Sequence, residues 1–198
     1  MPTSERQITW SGSPASGLMI IGESPWYEEV RFGRPFAGPS GNLLDSQLRR
    51  AGLERDSVVV TNVLWDRPPY LGWIDKHPDA TIALAANRVN WERLIAEVKP
   101  RCIVTLGTIA MREVLGVSGL DQRQAYVHDS VYGIPVIPSY HPAFILRGNH
   151  KFTQPLFFAL QRAKEVVASR GSWQRTGVEY LVDPAPREAA AYLFGGIS

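Results

Sequence analysis

Short unbroken apolar runs alternate along this chain with longer stretches in which apolar residues recur every three or four positions. Leu18-Met19-Ile20-Ile21, ended by Gly22, reads as a buried strand, and 58–63, 102–107 and 134–138 repeat the signal. Helical spacing predicts a helix over 41–52, where Leu43, Leu44, Leu48 and Ala51 align and Gly52 serves as C-cap. A second is expected over 81–98 on Ile82, Leu84, Ala85, Val89, Leu94, Ile95 and Val98, stopped by Lys99-Pro100. A third begins after Thr108, read as its N-cap, and a last one covers 152–170. Residues 125–132 suggest an edge hairpin.

Strands alternating with helices predict the α/β class: three layers, α/β/α, around a central, mainly parallel four-stranded sheet. Residues 1–16 are expected to be a loose tail and 17–171 the domain. The extension 172–198 either completes this domain or leads into another. Ligands on such sheets bind beyond the carboxyl ends of the strands. Here those ends carry the loops beginning at Gly22, Asn62, Gly107 and Ser139.

Composition changes the picture only in part. Among 198 residues, 44% are hydrophobic and 20% charged, and the net charge of +2 allows a local nucleic-acid patch without requiring one. The lone Cys102 excludes an internal disulfide and any cysteine-held zinc or iron–sulfur cluster from this chain alone. It is read as a buried strand residue, and neither metal nor cofactor is expected. There is no leader signature and no apolar stretch of about 20 residues, so a cytoplasmic or nucleoid-associated monomer is expected.

Three loops carry candidate chemistry. Glu23 follows a buried strand into the crevice, where a carboxylate can orient water and stabilise a cationic sugar during N-glycosidic cleavage. Phe36, between Pro35 and Gly38, is a candidate platform for an extruded base, or else a loop ring folded onto the core. Asn62 offers a donor and an acceptor that can read a pyrimidine edge. His141, fixed by Pro142, can donate to a base oxygen as charge grows on it. Leu146 and Arg147 follow at a tip suited to a duplex and its phosphates.

Together these residues resemble a known family. Gly22-Glu23-x-Pro25 with Gly33-x-Pro35-Phe36-x-Gly38-x-Ser40-Gly41 is similar to the opening motif of the family-4 type of uracil-DNA glycosylase. Thr61-Asn62-Val63 with Arg67-Pro68-Pro69, Lys99-Pro100-x-x-Ile103-Val104, and His141-Pro142 with Leu146-Arg147 resemble its later motifs. The resemblance implies a monofunctional enzyme that removes uracil from single- or double-stranded DNA and leaves an abasic site. Glu23 and His141 would be catalytic, Phe36, Asn62, Trp26 and Ser24 would meet the base, and Ser40, Arg67, Leu146 and Arg147 would meet DNA.

The sequence departs from that pattern in three places. The family's four cluster cysteines are missing, and Asp66 stands where one is expected, so another device must hold 64–80, with Trp65, Tyr70 and Trp73 as candidates. Trp26 replaces the usual Gly; in another branch a tyrosine here blocks the methyl group of thymine, so Trp26 either gates the pocket or fills it. His77 lies in the region where one branch carries a DNA-trapping histidine, but its surroundings match that branch poorly and an exposed loop residue is expected. Two alternatives stay open: a non-catalytic DNA-binding module of a larger replication protein, and a glycosylase for another modified base.

Overall fold

The computed structural model describes residues 7–169. In chain order they form β1 (Trp10–Ser11), β2 (Leu18–Gly22), α1 (Tyr27–Phe32), α2 (Pro39–Arg50), β3 (Val59–Asn62), α3 (Trp73–Lys76), α4 (Pro78–Val98) and β4 (Cys102–Leu106). Then follow α5 (Thr108–Leu115), α6 (Leu120–Arg123), β5 (His128–Asp129), β6 (Pro135–Ser139), α7 (Pro142–Leu146) and α8 (Thr153–Ala168). The strand order is β1-β3-β2-β4-β6-β5. The four central strands run parallel, as expected, and the two-residue edge strands β1 and β5 are antiparallel additions to them.

The period of two along each strand feeds two cores. Leu18, Ile20, Val60, Val104 and Ile137 face one way and pack with Leu44 and Leu48 of α2 and Leu156 and Leu160 of α8. Met19, Ile21, Val59, Ile103 and Val136 face the other way, against Trp91, Leu94 and Ile95 of α4 and Ile109 and Val114 of α5. Strands buried on both faces need continuous apolar runs, which is why β2 and β4 carry them. Lys164 of α8 donates to the carbonyls of Ala51 and Gly52 (3.0 and 3.2 Å), tying off the end of α2.

Several expectations need correction. The stretch from Gln7 to Ser16, read as a loose tail, is built in: Ile8 is fully buried, its N–H donates to the Trp65 carbonyl (2.9 Å), and Trp10–Ser11 pair with β3. Short α1 and α3 lie inside segments read as loops, and α6 in a stretch left unassigned, all too brief for a helical period to register. On α4, Ile82 and Val89 face solvent, and Trp91 takes the core position instead. That helix starts at Pro78, with His77 as N-cap. Thr108 is the first residue of α5, not its cap; Gly107 holds that place. Among the described residues no helix is long and apolar enough to cross a membrane. The extension 172–198 lies outside the described residues.

Candidate active site

The carboxyl ends of β2, β3, β4 and β6 open on a cavity of about 840 Å³. Gly22 and Asn62 are register partners, and the pairing continues one step further: Val63 N–H donates to the Gly22 carbonyl (3.0 Å) and Leu64 N–H to that of Glu23 (3.1 Å). Glu23 and Asn62 therefore leave two adjacent strands from fixed positions. Gly22 must lack a side chain, because a Cβ there would sit 2.5 Å from both Asn62 Oδ1 and the Phe36 ring.

Glu23 lines the cavity, and its pKa is raised to about 7, first by burial and then by the carboxylate of Asp75; Arg147 and Arg112 pull the other way. Asn62 is 1% exposed, and its Oδ1 is buried with no hydrogen-bond partner. An unmet buried acceptor is costly, and a ligand N–H reaching it would remove that cost.

Phe36 belongs to the core and also to the cavity wall, which reconciles the two readings of it. Its backbone takes a left-handed φ of 54°. Arg55 holds this loop: its Nη2 donates to the Pro35 carbonyl (3.3 Å) while its Nε pairs with Asp45 (3.2 Å). The Phe36 ring stands near-parallel to that of His141, with centroids 5.4 Å apart and planes at 26°. That spacing leaves no room for a third ring between them.

His141 is the N-cap of α7, and its Nδ1 accepts the N–H of Ala143 (3.1 Å). In the neutral ring the proton is therefore on Nε2. Burial, and then the charge of Arg147, lower its pKa to about 4, so the ring is neutral at pH 7 and Nε2–H is a donor. Gly107, with φ +93°, passes behind it; a Cβ there would press to 3.3 Å on the His141 Cβ.

Of the other expected residues, Ser24, Trp26, Ser40, Leu146 and Arg147 line the same cavity. Ser40 lies in the first turn of α2, whose free N–H groups favour an anion. Arg67 does not line it: its guanidinium lies 4.5 Å from the Tyr27 ring and 5.8 Å from that of Trp26. His77 is not a free loop histidine; its Nδ1 caps Asp79 N–H (3.2 Å) and its ring stacks on Trp73 at 5.6 Å. The sequence reading missed Asp75 and Arg112, which adjust the burial-raised pKa of Glu23 in opposite directions, and the Tyr140–Asp121 hydrogen bond (2.8 Å) in the wall. The strand-end position of Gly107 was a usable signal for that corner; nothing local marks Asp75.

An iron–sulfur cluster does not fit. Its ligands are thiolates, and the one cysteine, Cys102, is fully buried in β4 with its thiol pushed up to about 12 by burial. The 64–80 loop is held instead through Trp65, whose N–H donates to Asn87 Oδ1 and whose indole donates to Thr61 Oγ1, both at 3.0 Å. Trp73 contributes its stack on His77, whereas the Tyr70 side chain is half exposed and only its carbonyl is seen to take part, accepting the Trp73 N–H (3.2 Å).

A parallel sheet with a ring, an amide and a neutral imidazole around one crevice at its carboxyl edge defines an α/β protein with a pocket for a flat ligand with polar edges. Residues 9–164 match the family model of the uracil DNA glycosylase superfamily, and the chain belongs to that superfamily. It is 33% identical over 148 residues to a type-4 uracil-DNA glycosylase of Sulfurisphaera tokodaii, covering 70% of this chain and 65% of that protein. A type-4 uracil-DNA glycosylase of Pyrobaculum aerophilum is also 33% identical, over 71% of this chain and 73% of its own length. The Thermotoga maritima type-4 enzyme is 27% identical over 83% and 84% respectively.

Proposed function

We propose that this chain hydrolyses the N-glycosidic bond of uracil in DNA, leaving an abasic site. The observation that carries the proposal is the convergence of three complementary groups on one cavity: an unpaired amide acceptor, a fixed neutral imidazole donor and a carboxyl group whose pKa is raised to about 7. In this reading the extruded base lies on Phe36. Asn62 Oδ1 accepts the base N3–H, and its amide N–H₂ donates to a carbonyl, a pattern that cytosine reverses. Water adds to C1′, the C1′–N1 bond breaks, and its electron pair leaves with the base. His141 Nε2–H donates to the base oxygen on which charge grows, and Glu23 takes the proton from water while stabilising the cationic sugar.

Trp26 stands in the wall of a cavity that stays open beside it, which favours gating against the thymine methyl group over blockage. Ser40 at the α2 N-terminus and Arg147 are placed to meet phosphates. The test is alkali cleavage of a labelled oligonucleotide carrying one uracil, with Glu23→Gln and His141→Ala beside the wild type. Cleavage lost in both variants supports the assignment. Cleavage unchanged in either removes that residue from the chemistry, and no cleavage by the wild type removes the activity.

A further inference from the structure

Large apolar side chains are exposed on α1 and on the loop before α3, the two segments that lead away from the cavity at Trp26 and Leu71. Tyr27 is 60% exposed and Phe32 59%, at the two ends of α1, and in the facing loop Tyr70 is 47% and Leu71 72% exposed. Trp26 and Leu71 line the cavity, and Tyr27 meets Trp26 edge-on, with centroids 5.2 Å apart and planes at 74°. Arginines are interleaved with the rings: Arg67 lies 4.5 Å from the Tyr27 ring, and Arg31 lies 5.4 Å from that of Phe32. Burying this much apolar surface in water's place needs a partner, since soluble chains rarely leave such a patch uncovered.

We propose that this rim is a stacking platform for unpaired bases next to the extruded nucleotide, and that it gives the chain a preference for single-stranded DNA. The inference rests on the proposed uracil-excising function for where the strand runs. Flat rings alternating with guanidinium groups suit base faces of any sequence, which is how single strands are held. Bases of an intact duplex are stacked on each other and present only their edges, so they cannot use such a platform. Glu28 of α1 and Asp75, both lining the cavity on this side, offset the charge of Arg31 and Arg67, so the rim is no strongly basic phosphate track and its ring faces are the contact it offers. Extrusion is also least costly from a strand without a partner.

The test measures fluorescence anisotropy with a short uracil-free oligonucleotide, single-stranded and as a duplex. The proteins are the wild type, Tyr27→Ala, Tyr70→Ala, Tyr27→Phe and, as a control at the opposite end of the sheet, the exposed Val131→Ala. Each alanine variant is expected to bind the single strand about 10-fold more weakly and the duplex within about twofold of wild type, with Tyr27→Phe and Val131→Ala unchanged. Equal losses on both DNAs, no loss on either, or a wild type without single-strand preference would overturn the proposal. Single-strand binding that depends on Tyr27 in a protein that excises no uracil faults the glycosylase reading alone. Excision with binding indifferent to Tyr27 and Tyr70 faults the platform alone.

Discussion

The floor of the crevice and its rim are held by different means. Asn62, Phe36 and His141 sit on strand ends or beside them, fixed by strand register, by the Arg55 bond to the Pro35 carbonyl and by the Ala143 N–H. Tyr27, Tyr70, Leu71 and Leu146 stand on helices of five or six residues or in a loop, and 41–72% of their surface is exposed. The first arrangement suits groups whose task is set by tenths of an ångström. The second suits contacts that form only when a strand lies across them. Changes at the floor should therefore alter chemistry, and changes at the rim should alter which DNA is held.

The largest expected effect is at the floor. Glu23→Gln should lower the excision rate by about 10²–10⁴-fold, the range of a general base, with KM nearly unchanged in single-turnover assays. In the wild type the rate should rise with pH through about 7, because the ionised carboxylate is the working form. A flat profile would break the assignment. Next, Phe36→Ala should weaken substrate binding by about 10–100-fold through lost stacking, read as a rise in KM. An unchanged KM would mean the base does not lie there.

A third effect is on stability and separates the two titrating groups of the floor. Glu23 has a pKa raised from 4.5 to about 7, so the folded state holds more protons than the unfolded state in that window and stability falls as pH rises through it. His141 is lowered from 6.5 to about 4, so here the unfolded state holds more protons and stability rises with pH. The two oppose each other, and each is worth about 1–2 kcal/mol after allowance for solvent. Denaturant melts of the wild type should be nearly flat from pH 4.5 to 6.5. Glu23→Gln should uncover the rise and His141→Gln the fall. The smallest effect belongs to the rim: Leu146→Ala should slow excision from duplex by roughly fivefold, about 1 kcal/mol of apolar contact, and leave single strands unaffected.

The same contrast explains what the sequence made legible. Strands buried on both faces must be apolar runs, so β2, β3, β4 and β6 stood out, and with them the loops that follow, which is why Glu23, Asn62 and His141 were found. Phe36 was placed by its proline and glycine neighbours, though not its sharing between core and cavity. Helices as short as α1, α3 and α6 are set by tertiary contacts and leave no period to read. Tyr27 and Asp75 were missed for that reason, and Leu71 because it lies in the loop before α3. Ile8 was missed because a single buried residue in a polar stretch carries no pattern. Ile82 and Val89 were placed in the core because periodicity marks a helical face without saying whether anything covers it.

The two-residue strands β1 and β5 have a consequence of another kind. A parallel sheet ending on β3 and β6 would offer rows of backbone donors and acceptors to any neighbouring chain. Trp10–Ser11 and His128–Asp129 cover part of those rows and, being so short, present little template of their own. A chain begun after Ser11 would lose the guard on the β3 edge, along with the Ile8 bond to Trp65 that helps hold the 64–80 loop, so self-association would be among its modes of failure.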